Sequence, residues 1–340
     1  MARLLKAFDL FCGAGGMSVG LRRAGFRVVG AVDCDAAACR AYSENHPDVA
    51  VWQMDVTCLP GKKVMKRLRL RRGRLDLLAA CPPCQGFSTV RTKNGRASNR
   101  DPRNDLVFEV LRFARVMRPK AIMLENVPGL AKNRRFHAIR RELKGLGYAM
   151  SWSILDAADY GVPQRRRRLV LLASLLREPS FAPACRARHT VRDAIAHLTS
   201  PGKSRDPLHR MVRKHSRKVA RLIRSIPKDG GSRAAIGHRA QLACHRRVRG
   251  FYDVYGRMAW DKPAPTITSG CTNPSRGRFL HPVEDRALSL REAALLQSFP
   301  RRYRFPTEFG QEALSLLVGN ALPPEFIRRH AASLIRRGAV

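Results

Sequence analysis

Leu4-Leu5-Lys6-Ala7-Phe8-Asp9-Leu10-Phe11-Cys12-Gly13-Ala14-Gly15-Gly16 decides the fold of this 340-residue chain. Leu4 to Phe11 is an apolar run that reads as a buried strand. Cys12 to Gly16 is a glycine-rich turn, and Met17 to Ala24 then carries helical spacing through Val19, Leu21 and Ala24 until Gly25 stops it. The same alternation continues outward. Arg27 to Val32 reads as a second strand ending on Asp33, Ala36 to Asn45 as a helix, and Val49 to Met54 as a third strand ending on Asp55. Leu75 to Ala80 reads as a fourth strand running into Cys81-Pro82-Pro83-Cys84. Leu106 to Met117 reads as an amphipathic helix, and Ala121 to Leu124 as a strand running into Glu125. Strands alternating with helices predict an α/β fold with a doubly wound, mostly parallel sheet. Ligands of such sheets sit at the carboxyl ends of the strands. Asp33, Asp55, Cys84 and Glu125 all fall at such ends.

Charge points to a polyanion. The chain carries 65 Lys+Arg against 26 Asp+Glu, a formal net charge of +39, yet 44% of its residues are hydrophobic. That composition excludes a disordered polycation and predicts a folded protein with a basic surface. Arginine supplies 52 of the 65 cations, an imbalance that coding bias also produces. Between Leu175 and Lys262 the density rises to 21 Lys+Arg against 6 Asp+Glu. The α/β rhythm fades there and returns after Pro263, with helices predicted over Leu290 to Gln297 and Glu325 to Arg336. The expected organisation is a discontinuous domain over 1–174 and 285–340, with a smaller basic domain inserted over 175–284. Nine scattered cysteines form no disulfide framework. The start of the chain carries no apolar run long enough for a signal peptide, and no stretch is long enough to span a membrane, so a reducing, cytoplasmic setting is expected.

Several groups carry chemistry. Glycines after a strand let backbone approach a ligand, and Asp33, 20 residues after Gly13, can reach ribose hydroxyls. Ser18 stands where a dinucleotide fingerprint wants glycine or alanine, which argues against a nicotinamide oxidoreductase. Cys84 is placed like a nucleophile, and the polar stretch Gln85 to Asn104 behind it suits a lid. Two prolines between Cys81 and Cys84 disfavour a redox pair, no second pair completes a zinc site, and Cys81 receives no role. Glu125 suits a hydrogen bond to a ring nitrogen, or is a rim carboxylate in a salt bridge. In Gln164-Arg165-Arg166-Arg167-Arg168, strand alternation points Arg166 and Arg168 together into a cleft, where guanidinium groups suit a carbonyl oxygen or phosphate. Asn320 is a polar ligand or a helix cap.

Taken in order, these segments resemble the cytosine-C5 DNA methyltransferase family. Phe8–Gly16 resembles its cofactor motif, Pro83-Cys84-Gln85 its nucleophile motif, Glu125-Asn126-Val127 its acid motif and Gln164-x-Arg166-x-Arg168 its arginine motif. Pro265-Thr266-Ile267-Thr268 and Val318-Gly319-Asn320 resemble its last two blocks, and the basic region fills the family's variable gap. Cys34 departs from the aromatic residue that many members carry after the strand-end acid. The resemblance implies S-adenosylmethionine held near Phe11, Gly13, Gly15, Asp33, Asp55 and Asn320, with no metal. It implies catalysis by Cys84, Glu125, Arg166 and Arg168 on a cytosine flipped out of duplex DNA, and a target-recognition role for the basic domain. A monomer is expected, and a cognate restriction endonuclease is a candidate functional partner. The rivals are the tRNA-modifying branch, whose Cys-Phe-Thr triplet is absent, and a DNA-binding relative without catalysis.

Overall fold

β1 (Leu5–Leu10) is an interior strand of a seven-stranded sheet, and every residue from Ala7 to Leu10 is buried, so neither face is left to water. The computed structural model describes residues 4–83, 102–237 and 253–340. Cys84 and most of the expected lid therefore lie outside the described residues. The other strands are β2 (Phe26–Asp33), β3 (Ala50–Gln53), β4 (Leu77–Ala80), β5 (Ala121–Asn126), β6 (Ala149–Asp156) and β7 (Arg167–Ser174). Their order is β3-β2-β1-β4-β5-β7-β6. β1 to β5 pair in parallel, whereas β7 runs antiparallel to both β5 and β6. The doubly wound, mostly parallel sheet is thus present, with one reversed strand near its edge.

Alternate residues of the strands serve the two faces. Phe8, Leu10, Leu78, Leu124 and Leu171 form one apolar cluster with Val110, Phe113, Phe136 and Ile139 from the helices Glu109–Met117 and Arg134–Gly145. On another flank, Gly16–Ala24 packs against Pro324–Arg336. The helices approach so closely at Gly20 that a Cβ there would lie 2.5 Å from the Pro324 carbonyl oxygen and 2.6 Å from Ile327 Cβ. Only glycine fits.

The chain divides into two compact units. The first comprises Met1–Tyr160, Arg167–Ala184 and Leu322–Val340 and contains the sheet; the second comprises Gly161–Arg166 and Cys185–Ala321. Residues 285–321, which the sequence pattern attaches to the sheet domain, group with the second unit. The reason is local packing: the Arg291 guanidinium pairs with Asp206 at 2.5 Å, Gln311 donates to the Met211 carbonyl, and Ser315 donates to the Ser269 carbonyl. Among the described residues this unit has short helices and isolated bridges in place of a sheet. Arg257 is fully buried in this unit, among segments that include the end of the helix Arg217–Ser225. No described helix is long and apolar enough to cross a membrane.

Candidate active site

The glycine turn opens directly from β1. Phe11, Gly13 and Gly15 have φ of +61°, +51° and +89°, so the chain reverses through left-handed conformations that favour glycine. Beyond its chain neighbours, no described residue has an atom within 4 Å of where a Gly13 Cβ would sit, which leaves open ground above the turn. The Gly13 N–H donates to Asp33 Oδ2 at 2.8 Å, and the Asp35 N–H donates to Oδ1 at 3.0 Å. Asp33 is thereby fixed at the end of β2, while each oxygen keeps a second lone pair for a ligand hydroxyl. Burial raises its carboxyl above the ordinary range. Asp55 is exposed two residues past β3 and caps the turn Val56–Cys58; bonds from the Thr57 hydroxyl and N–H hold its carboxyl low. Phe11, Gly13, Gly15 and Asp33 are therefore gathered at adjacent strand ends. Asn320 ends the helix Gly310–Asn320 in the second unit, where it is exposed.

Glu125 lies within β5, one rung beyond the expected strand end, and is 2% exposed. The antiparallel register sets Glu125 opposite Val170 on β7, so Arg168, two residues away, lies diagonally on the same face. Arg168 Nε is 2.9 Å from Glu125 Oε1. On the other side, β4 and β5 run in register up to Ala80 and Leu124, which makes Cys81 the neighbour of Glu125 on the next rung. The Cys81 thiol donates to Glu125 Oε2 at 2.9 Å. Oε1 is buried and accepts no hydrogen bond from a described residue, although Arg168 is beside it. Asn126 donates to the Pro82 carbonyl at 3.2 Å and so steadies the turn that leads to Cys84.

Arg166 does not join this group as strand alternation predicts. β7 begins at Arg167, so the period of two does not extend to Arg166. Its guanidinium instead donates to the carbonyls of Ile267 and Gly319, at 2.9 and 3.1 Å, within the second unit. A Cβ on Gly319 would meet Ser269 N and Thr268 C at 2.2 Å. The two motif-like segments near Thr268 and Gly319 are thus pressed together and clamped by Arg166, with Gln164 donating to Gln297 and accepting from the Ile267 N–H.

A model of the C-5 cytosine-specific DNA methylase family matches residues 5–336. The chain belongs to that family. The Type II methylase M.HgiDII of Herpetosiphon aurantiacus is 36% identical over 343 residues, covering 96% of this chain and 94% of that one. A Type II methyltransferase of Haemophilus parahaemolyticus is 33% identical, covering 98% and 87%. A solved prophage-encoded E. coli protein, described as a DNA modification methyltransferase, shares the fold with a TM-score of 0.74 at 22% identity, over 98% of this chain and 99% of that one.

Burial separates the thiols of this cytosine DNA methylase. The described cysteines Cys12, Cys34, Cys39, Cys58, Cys81, Cys185 and Cys271 are unpaired with one another. Desolvation and nearby carboxylates push Cys12 well up and Cys39 up to about 12, while burial pushes Cys271 up to about 11. None of these three supplies a thiolate near neutral pH.

The motif also contains a carboxylate that pattern reading passes over. Asp9 is fully buried in β1 of the methylase, and its Oδ2 accepts from the Ser18 hydroxyl at 2.6 Å; Ser18 also meets the Tyr42 hydroxyl at 2.6 Å. Ser18, the residue that breaks the dinucleotide pattern, is there to satisfy Asp9. Burial raises the Asp9 carboxyl to about 7. A raised carboxyl favours the fold below its unfolded value of 3.8, and that contribution is lost as pH rises through about 7. At roughly 1.4 kcal/mol per pKa unit the span is a few kcal/mol. Asp9→Asn is therefore expected to melt above the parent protein at pH 8, with the gap closing towards pH 4. Thermal midpoints of the pair across that window test it; a gap independent of pH would sink the assignment.

Proposed function

We propose that this methylase transfers a methyl group from S-adenosylmethionine to C5 of a cytosine flipped out of a specific duplex DNA sequence, with Cys84 as nucleophile. The observation that carries the reading is the fixed carboxylate of Glu125 between Cys81 and Arg168, at the strand ends next to the Cys84 motif. The open turn at Gly13 and the doubly anchored Asp33 fit the adenosine end of the cofactor, with Phe11 and Gly15 beside it, and Asp55 and Asn320 are proposed as further contacts. The cofactor supplies an electrophilic methyl group.

Cytosine C5 is a poor nucleophile, so Cys84 as thiolate adds to C6 and makes C5 enamine-like. Glu125 meets the N3 and exocyclic amine edge, where its Oε1 has acceptor capacity. Arg168 sits where it can bind the cytosine carbonyl oxygen while holding Glu125. Arg166 takes a supporting part, by clamping the Ile267 and Gly319 segments. Loss of the C5 proton and expulsion of Cys84 close the cycle. A paired base cannot be reached in this way, which is why it must leave the stack.

The basic excess between Leu175 and Lys262 supports duplex DNA as partner and the second unit as the seat of sequence readout. Action in the cytoplasm beside a restriction endonuclease is part of the same proposal, supported by the Type II naming of the relatives. Labelled S-adenosylmethionine offered with duplex DNA, with tRNA or alone is expected to label duplex DNA only; label in tRNA instead would overturn the substrate. Bisulfite sequencing of DNA from expressing cells then reads the site. Affinity for that duplex is expected to fall with a log–log salt slope near −0.9 per neutralised phosphate. A flat salt plot would make the basic excess irrelevant to binding.

A further inference from the structure

We propose that Cys81 is a positioning residue for the methyl-transfer reaction, its thiol fixing the plane of the Glu125 carboxylate. The proposal rests on the assignment of Glu125 to the substrate base.

Three observations converge on this role. The parallel register of β4 and β5 ends on Ala80 and Leu124, and the next rung sets Cys81 beside Glu125. The thiol donates to Oε2 at 2.9 Å, while Arg168 Nε stands 2.9 Å from Oε1. Cys81 also precedes Pro82, which restricts its backbone to extended conformations, and the Pro82 carbonyl is itself held by Asn126. A glutamate side chain turns broadly about its last torsion. With one oxygen held by a sulfhydryl and the other beside a guanidinium, that rotation is stopped, and the buried Oε1 is presented in one direction. No described residue donates a hydrogen bond to Oε1, so it keeps acceptor capacity.

In this contact the Cys81 sulfhydryl donates and the Glu125 carboxylate accepts. That separates the work of the two motif cysteines: Cys84 attacks, whereas Cys81 holds the acid. A thiol is a weak donor, so it orients Glu125 without competing strongly for its charge.

The test uses the full chain on a duplex carrying its own site, with Cys81→Ala, Cys81→Ser, Glu125→Gln and the double variant Cys81→Ala/Glu125→Gln. Cys81→Ala is expected to lower kcat about tenfold, the scale of one hydrogen bond, with KM for DNA and for S-adenosylmethionine and the thermal midpoint unchanged. Cys81→Ser keeps a donor and is expected to recover most of that loss. In the Glu125→Gln background the Cys81→Ala change is expected to have little further effect, because the carboxylate whose plane the thiol fixes has been replaced by an amide. Equal losses in the alanine and serine variants would overturn the donor role. A full Glu125→Gln loss alongside a silent Cys81→Ala would remove Cys81 alone and leave the site reading standing. An active Glu125→Gln would remove the site reading, and Cys81 with it.

Discussion

Duplex DNA with 5-fluorocytosine at the methylated position is expected to trap the protein covalently after a single methyl transfer. If Cys84 adds to C6, the cycle can finish only when a proton leaves C5, and a fluorine there cannot depart as a cation. The adduct should survive denaturing electrophoresis and should form only when S-adenosylmethionine is present. Cys84→Ser should abolish it, because a hydroxyl is far less nucleophilic than a thiolate near neutral pH. Cys81→Ser should still give the adduct, since a hydroxyl can take over the bond to Glu125. The buried thiols Cys12, Cys39 and Cys271, all pushed up, cannot stand in. An adduct that persists in Cys84→Ser and disappears in Cys81→Ser would mean that the other motif sulfur attacks. An active enzyme that never traps would falsify covalent addition.

The strand-end positions of Asp33 and Glu125 were legible in the sequence because a buried parallel strand is a continuous apolar run with an abrupt polar end. What periodicity cannot carry is the direction and register of a strand. β7 reads as apolar whether it runs up or down, yet only the antiparallel pairing places Arg168 diagonally from Glu125. The same holds for Cys81, whose partner is 44 residues away and meets it only through the β4–β5 register. Arg166 shows the opposite failure. Alternation counted from Arg168 reaches one residue beyond where the strand begins, so a guanidinium that clamps two loop carbonyls reads as one that points into a cleft with Arg168. Asp9 was hidden in plain view within the glycine motif, because a carboxylate in an apolar strand gives no sign of the Ser18 and Tyr42 hydroxyls that accommodate it. The division of the chain was blurred for a further reason. Leu290–Leu296 and Gly310–Asn320 restore a helical rhythm without rejoining the sheet-bearing unit.

Arg257→Ala and Arg257→Lys are both expected to destabilise the second unit severely, by about 3–5 kcal/mol, the usual cost of breaking a buried ionic group. In a segment with 21 basic residues, Arg257 looks like one more solvated cation. It is instead fully buried, and each of its five N–H donors has an acceptor. Nε donates to the Ile226 carbonyl at 3.1 Å, and Nη1 to those of His281 and Glu284 at 3.0 and 2.6 Å. Nη2 donates to the Ile223 carbonyl at 2.8 Å and to Asp285 Oδ1 at 2.5 Å. Ile223 and Ile226 belong to the end of the helix Arg217–Ser225, where carbonyls lack intrahelical partners and a positive charge is favoured. One side chain thus terminates that helix and ties it to the 281–285 turn, beside the apolar cluster of Leu222, Ile223, Tyr255 and Leu280. Alanine would take the side-chain donor from the Ile226 and His281 carbonyls, leave those of Ile223 and Glu284 with only the Ile226 and Arg286 N–H groups, and leave Asp285 with Lys228. Lysine keeps the charge but offers three donors from a single point, which cannot span the same acceptors. Denaturant unfolding of the three proteins measures the loss, and amide exchange of peptides spanning 217–226 and 280–286 should locate it there rather than in β1, β4 and β5. A lysine variant as stable as the parent would show that charge at this point suffices, and the five-donor account would then be wrong.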